Sequence, residues 1–176
     1  MIRVRYFTGQ ILGAADFEAE QRYFVDRLRR RNRWLHGWGV VGGLQVSISP
    51  GQIVVAAGLA LDCAGNEIEV PEPITWAQPA AGKTAHLALA FAEQSVHPVA
   101  VPVDPSSGSN EATAYSRVEE GWVLAYAPED PARAHAAPSR RSNPCGKPHG
   151  IALARLLRAR SRWRLDPRYR PGRART

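Results

Sequence analysis

One long helical run, followed only by short segments punctuated with glycine and proline, constrains this chain more than any other feature. Residues 6–41 read YFTGQILGAADFEAEQRYFVDRLRRRNRWLHGWGVV. Asp16 is a candidate N-cap, its carboxylate placed to accept the free N–H groups of a first turn, and Glu18 and Glu20 then lie near the positive end of the helix dipole. The expected helix runs from about Phe17 to His36. Phe17, Phe24, Leu28 and Leu35 recur at spacings of seven, four and seven, which places them on one stripe with Tyr23 and Trp34 beside it. A narrow aromatic stripe of this kind fits a helix packed on its own sheet better than one packed on a partner helix. Gly37 is placed to stop the helix in the left-handed region and Gly39 to let the chain turn back.

After Trp38 the period changes from that of a helix to that of strands. Val46-Ser47-Ile48, Gln52 to Ala57 and Glu67-Ile68-Glu69-Val70 alternate or run apolar between turn signals. Asp62-Cys63-Ala64-Gly65-Asn66 reads as the turn of a hairpin, with Gly65-Asn66 supplying positive φ and Asp62 serving turn geometry. Thr84 to Phe91 reads as a buried strand. Val96 to Asn110 is expected as a loop because proline interrupts it, and Ala114 to Ala127 as a strand pair turning near Glu119-Glu120-Gly121. Residues 128–148 are expected as a mobile loop, and Ile151 to Leu157 as a last core strand. Fifteen glycines and 14 prolines suit a chain with many turns.

The expectation is an α+β fold: one long N-terminal helix packed on a β-rich domain, a sandwich or open barrel of about seven to nine short strands. Its parts would be an N-terminal segment and Arg-rich helix (1–37), the β-rich domain (38–157) and a basic C-terminal tail (158–176).

Charge narrows the function classes. The net charge of +7 is divided between basic ends and an acidic middle. Arginines crowd into 22–33 and 155–175, whereas Glu67, Glu69, Glu72, Glu93, Glu119 and Glu120 lie between them. Arginine pairs with carboxylate or phosphate in a planar fork and tolerates partial desolvation, which suits an interface. Genomic base composition can produce the same bias without any interface. The candidate protein interface is Arg22, Arg29, Arg30, Arg33, Trp34 and Trp38 on the helix and its exit, with Arg162, Trp163 and Arg164 in the tail. A nucleic acid is the weaker alternative partner, because the arginines circle the helix instead of forming one stripe.

No phosphate loop, nucleophile elbow, HExxH or dinucleotide fingerprint occurs. The five histidines are scattered, with His86 expected as a core histidine, and adjacent Glu119 and Glu120 would point to opposite faces of a strand. No catalytic residue, cofactor or metal is assigned, and the chain is not expected to be an enzyme. Cys63 and Cys145 stand far apart outside any CxxC pattern, so two thiols are expected before a bridge. No apolar run reaches the ~18 to 20 residues of a membrane-spanning helix, and the N-terminus lacks a signal-peptide core, so the expected location is cytoplasmic.

Three stretches stand out: Tyr6-Phe7-Thr8-Gly9-Gln10-Ile11-Leu12 with Asp16-Phe17 and Glu20-Gln21, then Arg31-Asn32-Arg33-Trp34-Leu35-His36-Gly37-Trp38-Gly39-Val40-Val41-Gly42-Gly43-Leu44, then Ala57-Gly58-Leu59-Ala60-Leu61-Asp62-Cys63-Ala64-Gly65-Asn66-Glu67-Ile68. With a looser match from Tyr115 to Trp122, they resemble a family of phage-tail-derived proteins encoded with contractile injection systems. The resemblance covers about two thirds of the chain and departs from the family at Gly42 and Ala64, where cysteine is frequent. It implies a structural or adaptor role near a baseplate, cap or fibre attachment, partners among the other particle components, a homo-oligomer, and assembly into a phage-tail-like particle. A receptor-binding fibre component is the further alternative.

Overall fold

The computed structural model describes residues 2–100, 113–131 and 145–175. Helix α1 spans Ala14–Arg31 and continues into a π-helical turn, Asn32–His36. Gly13, not Asp16, is the N-cap. Asp16 sits in the third helical position, where its Oδ2 accepts the Gly13 N–H at 2.9 Å, so the carboxylate reaches back to the helix start. The Gly37 N–H closes the π turn on the Asn32 carbonyl at 3.0 Å. Gly37 (φ 76°) and Gly39 (φ 121°) then lead into the sheets.

Ten strands follow among the described residues, β1 (Gly39–Gly43), β2 (Val46–Ser49), β3 (Gln52–Val55), β4 (Gly58–Leu61), β5 (Glu67–Val70), β6 (Ile74–Ala77), β7 (Thr84–Ala100), β8 (Thr113–Ala127), β9 (Ile151–Ala159) and β10 (Arg162–Leu165). They form three antiparallel sheets in the orders β1-β4-β5, β2-β3-β6 and β10-β9-β7-β8. The fold is α+β, mostly strand, and its sheets fit a β-sandwich. Ile53 and Val55, Ile68 and Val70, Leu87 and Leu89, Leu124, Leu156 and Trp163 meet in one core drawn from all three sheets. The alternation of β5 is visible in that core: Ile68 and Val70 point in while Glu67 and Glu69 point out.

Four sequence expectations change here. The helix is not packed on the sheet along its length: no residue of α1 is buried, and Phe17, Phe24 and Leu28 are each more than half exposed. β7 does not end at Phe91 but passes Pro98 to Ala100, leaving 101–110 of the expected loop outside the described residues. The proline is tolerated because β9 pairs β7 only between Thr84 and Leu89, so beyond that point one side of β7 is open. β8 is one continuous strand, with Gly121 opposite Ala92 in its interior instead of at a turn. Of the loop expected at 128–148, residues 132–144 lie outside the described residues.

The expected tail is the fourth difference. β10 pairs β9 in full register, Trp163 is 6% exposed, and the Trp163 Nε1–H donates to the Pro79 carbonyl at 2.8 Å. Further on, the Val40 N–H donates to the Gly172 carbonyl at 2.8 Å, Ala174 returns a bond to Val40, and Arg173 bridges Val40 in parallel. Gly39 is required for this approach, because a Cβ there would lie 2.4 Å from the Gly172 carbonyl oxygen.

Candidate protein-interaction surface

The helix is anchored at one end by polar contacts to the Asp62–Asn66 turn. Asp62 is 1% exposed, and its two carboxylate oxygens accept the Asn66 backbone N–H at 2.8 Å and the Asn66 side-chain amide at 2.7 Å. Gly65 carries positive φ (90°); Asn66, expected to share that conformation, instead uses its side chain to hold the turn. Against this turn the Asn32 amide donates to the Gly65 carbonyl and to Glu67 Oε1, both at 3.0 Å, and Arg33 donates to the Ala64 carbonyl at 2.7 Å. A Cβ at Gly65 would stand 2.1 Å from the Arg29 carbonyl oxygen, so only glycine lets the helix backbone settle there.

Two further contacts complete the anchor. The Arg29 guanidinium binds Glu93 Oε1 at 3.1 Å and lies 5.9 Å from the Phe91 ring centre. The Arg175 N–H donates to the His36 carbonyl at 2.7 Å, and the Arg175 carbonyl lies 2.9 Å from His36 Nδ1. The C-terminal segment thus grips the helix exit.

Another face of the helix is lined by the N-terminal segment. Ile2, Arg3 and Val4 line a cleft of about 510 Å³ with Asp16, Ala19, Arg22, Tyr23 and Asp26. The Tyr6 hydroxyl donates to Glu20 Oε2 at 2.5 Å, a bond that raises the phenol pKa. What remains open is the stripe: Phe17 at 52% exposure, Phe24 at 55%, Leu28 at 53% and Leu35 at 57%, with Trp34 at 52% beside it. Phe7 and Ile11 of the leading segment are exposed as well. Exposed apolar residues in this number on one element mark a surface made to be covered.

The structure thus divides the sequence-derived interface residues. Arg22 and Arg30 are exposed, Trp34 is exposed, and Arg162 and Arg164 point outward from β10. Arg29 and Arg33 are engaged within the chain, Trp38 is half-buried beside Gly172, and Trp163 belongs to the core. Sequence reasoning passed over the stripe as a contact surface, although its width was the available signal: seven-four-seven spacing makes a seam, whereas a helix lying on a sheet needs a broader apolar face.

One polar cleft of about 380 Å³ lies elsewhere, lined by Thr84, His86, Pro128, Glu129, Asp130, Arg155 and Tyr169. Its groups largely answer one another. The Tyr169 hydroxyl donates to Asp130 Oδ2 at 2.9 Å, burial and that carboxylate push its pKa upward, and Arg155 reaches Asp166 at 3.5 Å. His86 is buried, and its Nδ1 finds no hydrogen-bond partner among the described residues. Burial raises the Cys63 thiol to about 12, the neighbouring Cys145 adding to the shift. Among the described residues no group of three or more His, Cys, Asp or Glu side chains is arranged to hold a metal ion, and no helix is long and apolar enough to cross a membrane.

No protein-family model and no curated protein matches the sequence. Solved structures do match the fold. A chain of a type VI secretion system TssK-TssF-TssG baseplate subcomplex is similar over 97% of this chain and 62% of its own length, with a TM-score of 0.56 at 16% identity. A crystal structure of TssK is similar over 97% of this chain and 42% of its own, with a TM-score of 0.51 at 14% identity. TssK of the EAEC type VI secretion system, in complex with a nanobody, is similar over 86% and 53%, with a TM-score of 0.50 at 16% identity. This chain therefore spans less than two thirds of the length of each of them.

Proposed function

We propose that this protein is a structural or adaptor subunit of a phage-tail-like contractile injection system, acting by protein contacts in the baseplate, cap or fibre-attachment region. The observation that carries the reading is a fold similar, over 97% of the chain, to that of a chain from a baseplate subcomplex. The sequence resemblance over Tyr6 to Ile68 points to the same class of particle by an independent route. An anchored helix that presents uncovered aromatic residues supports a role in contact-making and not in catalysis. Cytoplasmic assembly into the particle belongs to the same proposal, with Arg22, Arg30 and Trp34 as the exposed members of the helix contact.

The test is to purify particles from the cells that make this protein, carrying an epitope-tagged copy, and to locate the tag by immunogold electron microscopy. The tag is expected at one end of the particle. Particles that assemble fully and contain no tagged protein, from cells that express it, overturn the proposal. A variant combining Arg22→Glu, Arg30→Glu and Trp34→Ala is expected to keep its circular dichroism spectrum and to lose at least tenfold in incorporation. Arg29 and Arg33 are left intact because both hold the helix to its own turn.

A further inference from the structure

We propose that the open helix stripe receives a second copy of this chain, helix against antiparallel helix, about a two-fold axis at the level of Asp26 along the helix. The pairing goes beyond the assembly role proposed above and does not depend on it.

Two properties of α1 argue for this occupant. The first is the symmetry of the stripe. Phe24 stands two residues before Asp26 and Leu28 two after it, while Phe17 stands nine before and Leu35 nine after. Reversing one helix on the other therefore sets Phe24 against Leu28 and Phe17 against Leu35, apolar against apolar, with Gln21 against Arg31 at the levels between them. A two-fold interface demands this self-complementarity.

The second is charge. The start of α1, from Ala14 to Gln21, carries Asp16, Glu18 and Glu20 and no cation, whereas the segment from Arg27 to Arg33 carries five arginines and no carboxylate. An antiparallel pair lays each acidic stretch along the other copy's basic stretch and sets the two helix dipoles head to tail. A parallel pair stacks the arginines of one copy on those of the other. The stripe is open for such a contact because the anchor holds Arg29, Asn32 and Arg33, the N-terminal segment lines a cleft with Ala19, Arg22, Tyr23 and Asp26, and Phe17, Phe24 and Leu35 stay more than half exposed.

The experiment uses the purified full chain. Sedimentation over a concentration series is expected to give twice the monomer mass, and a Phe24→Glu, Leu28→Glu variant to give the monomer mass with an unchanged circular dichroism spectrum. Orientation is read by cross-linking in a Cys145→Ser background with oxidised glutathione. Copies carrying Phe17→Cys mixed with copies carrying Leu35→Cys are expected to form a covalent dimer. Phe17→Cys alone is not, because the two Phe17 positions of an antiparallel pair lie about 27 Å apart along the axis. A monomer at all concentrations overturns the proposal, as does self-linking of Phe17→Cys, which signifies parallel association, or a mass above the dimer. Loss of pairing with the epitope still in the particle, or the reverse, separates this proposal from the one above.

Discussion

The two arginine-rich ends of this chain have nearly the same composition and opposite fates. In the segment around β10, the pattern Arg162-Trp163-Arg164-Leu165 alternates with the period of a strand, beside a partner, β9, that offers a free edge. Its apolar residues go inward: Trp163 is buried on Pro79, Leu165 packs on the core, and the arginines are left outside. Around α1 the apolar residues recur with a helical seam instead, and the sheets grip only the last turn. There Phe17, Phe24 and Leu28 stay in water with the arginines. Composition does not separate a buried end from a presented one; the period of the apolar residues and the presence of a pairing edge do.

The largest expected effect breaks this contrast directly. Trp163→Ala removes a buried ring and its hydrogen bond to Pro79 and is expected to cost about 3–5 kcal/mol. Phe24→Ala, measured at a concentration low enough to keep the chain dissociated, is expected to fall within about 0.5 kcal/mol of the parent. Urea unfolding of both variants gives the comparison. If Phe24→Ala costs as much as Trp163→Ala in the monomer, the helix is packed in solution and the presented-surface reading fails.

Much of the fold was legible in the residues. Strict alternation at Glu67 to Val70 placed β5, and the apolar run from Ile151 placed β9. Helical spacing placed α1, except for its cap, because Asp16 contacts the Gly13 N–H from the third helical position and nothing in its chemistry distinguishes that from capping. What stayed hidden depends on partners far away in sequence. Proline in β7 reads as a break until it is known that β9 stops at Leu89. The C-terminal residues read as a tail because their partners, Val40 and His36, are more than 130 positions earlier. The interface residues divided for the same reason: whether Arg29 or Arg30 faces a neighbour depends on Glu93, 64 residues away, which engages only one of them.

A pH prediction sharpens the comparison on the C-terminal side. Tyr169 belongs to the segment that closes on the helix exit, and burial together with its bond to Asp130 favours the protonated phenol in the folded chain. Its folded pKa is raised above the ordinary value of 10.0. The unfolded chain then loses the proton first, so the contribution is fully present below pH 10 and is lost as the pH rises above it. Tyr169→Phe is expected to flatten the alkaline fall in stability. Tyr6, raised by its bond to Glu20 but exposed beside α1, is expected to flatten that fall less when replaced by Phe. Equal flattening by both variants would place the alkaline weakness outside the C-terminal segment.

The smallest effect tests how the helix end is held. Glu93 and Glu120 sit directly opposite each other on β7 and β8, a like-charge pair that by itself weakens the hairpin, and the Arg29 guanidinium lies on Glu93. Arg29 thereby links the helix to the long hairpin and relieves the repulsion beneath it. Both side chains are partly exposed, so Arg29→Ala is expected to cost no more than about 1 kcal/mol, shrinking in high salt. Adding Glu93→Gln should recover part of that loss, since it removes one of the two opposed charges. A double-mutant cycle in low and high salt reads the coupling. A coupling that is zero in low salt would mean that Asn32 and Arg33 alone fix the helix on the Asp62–Asn66 turn, and that the hairpin is free of it.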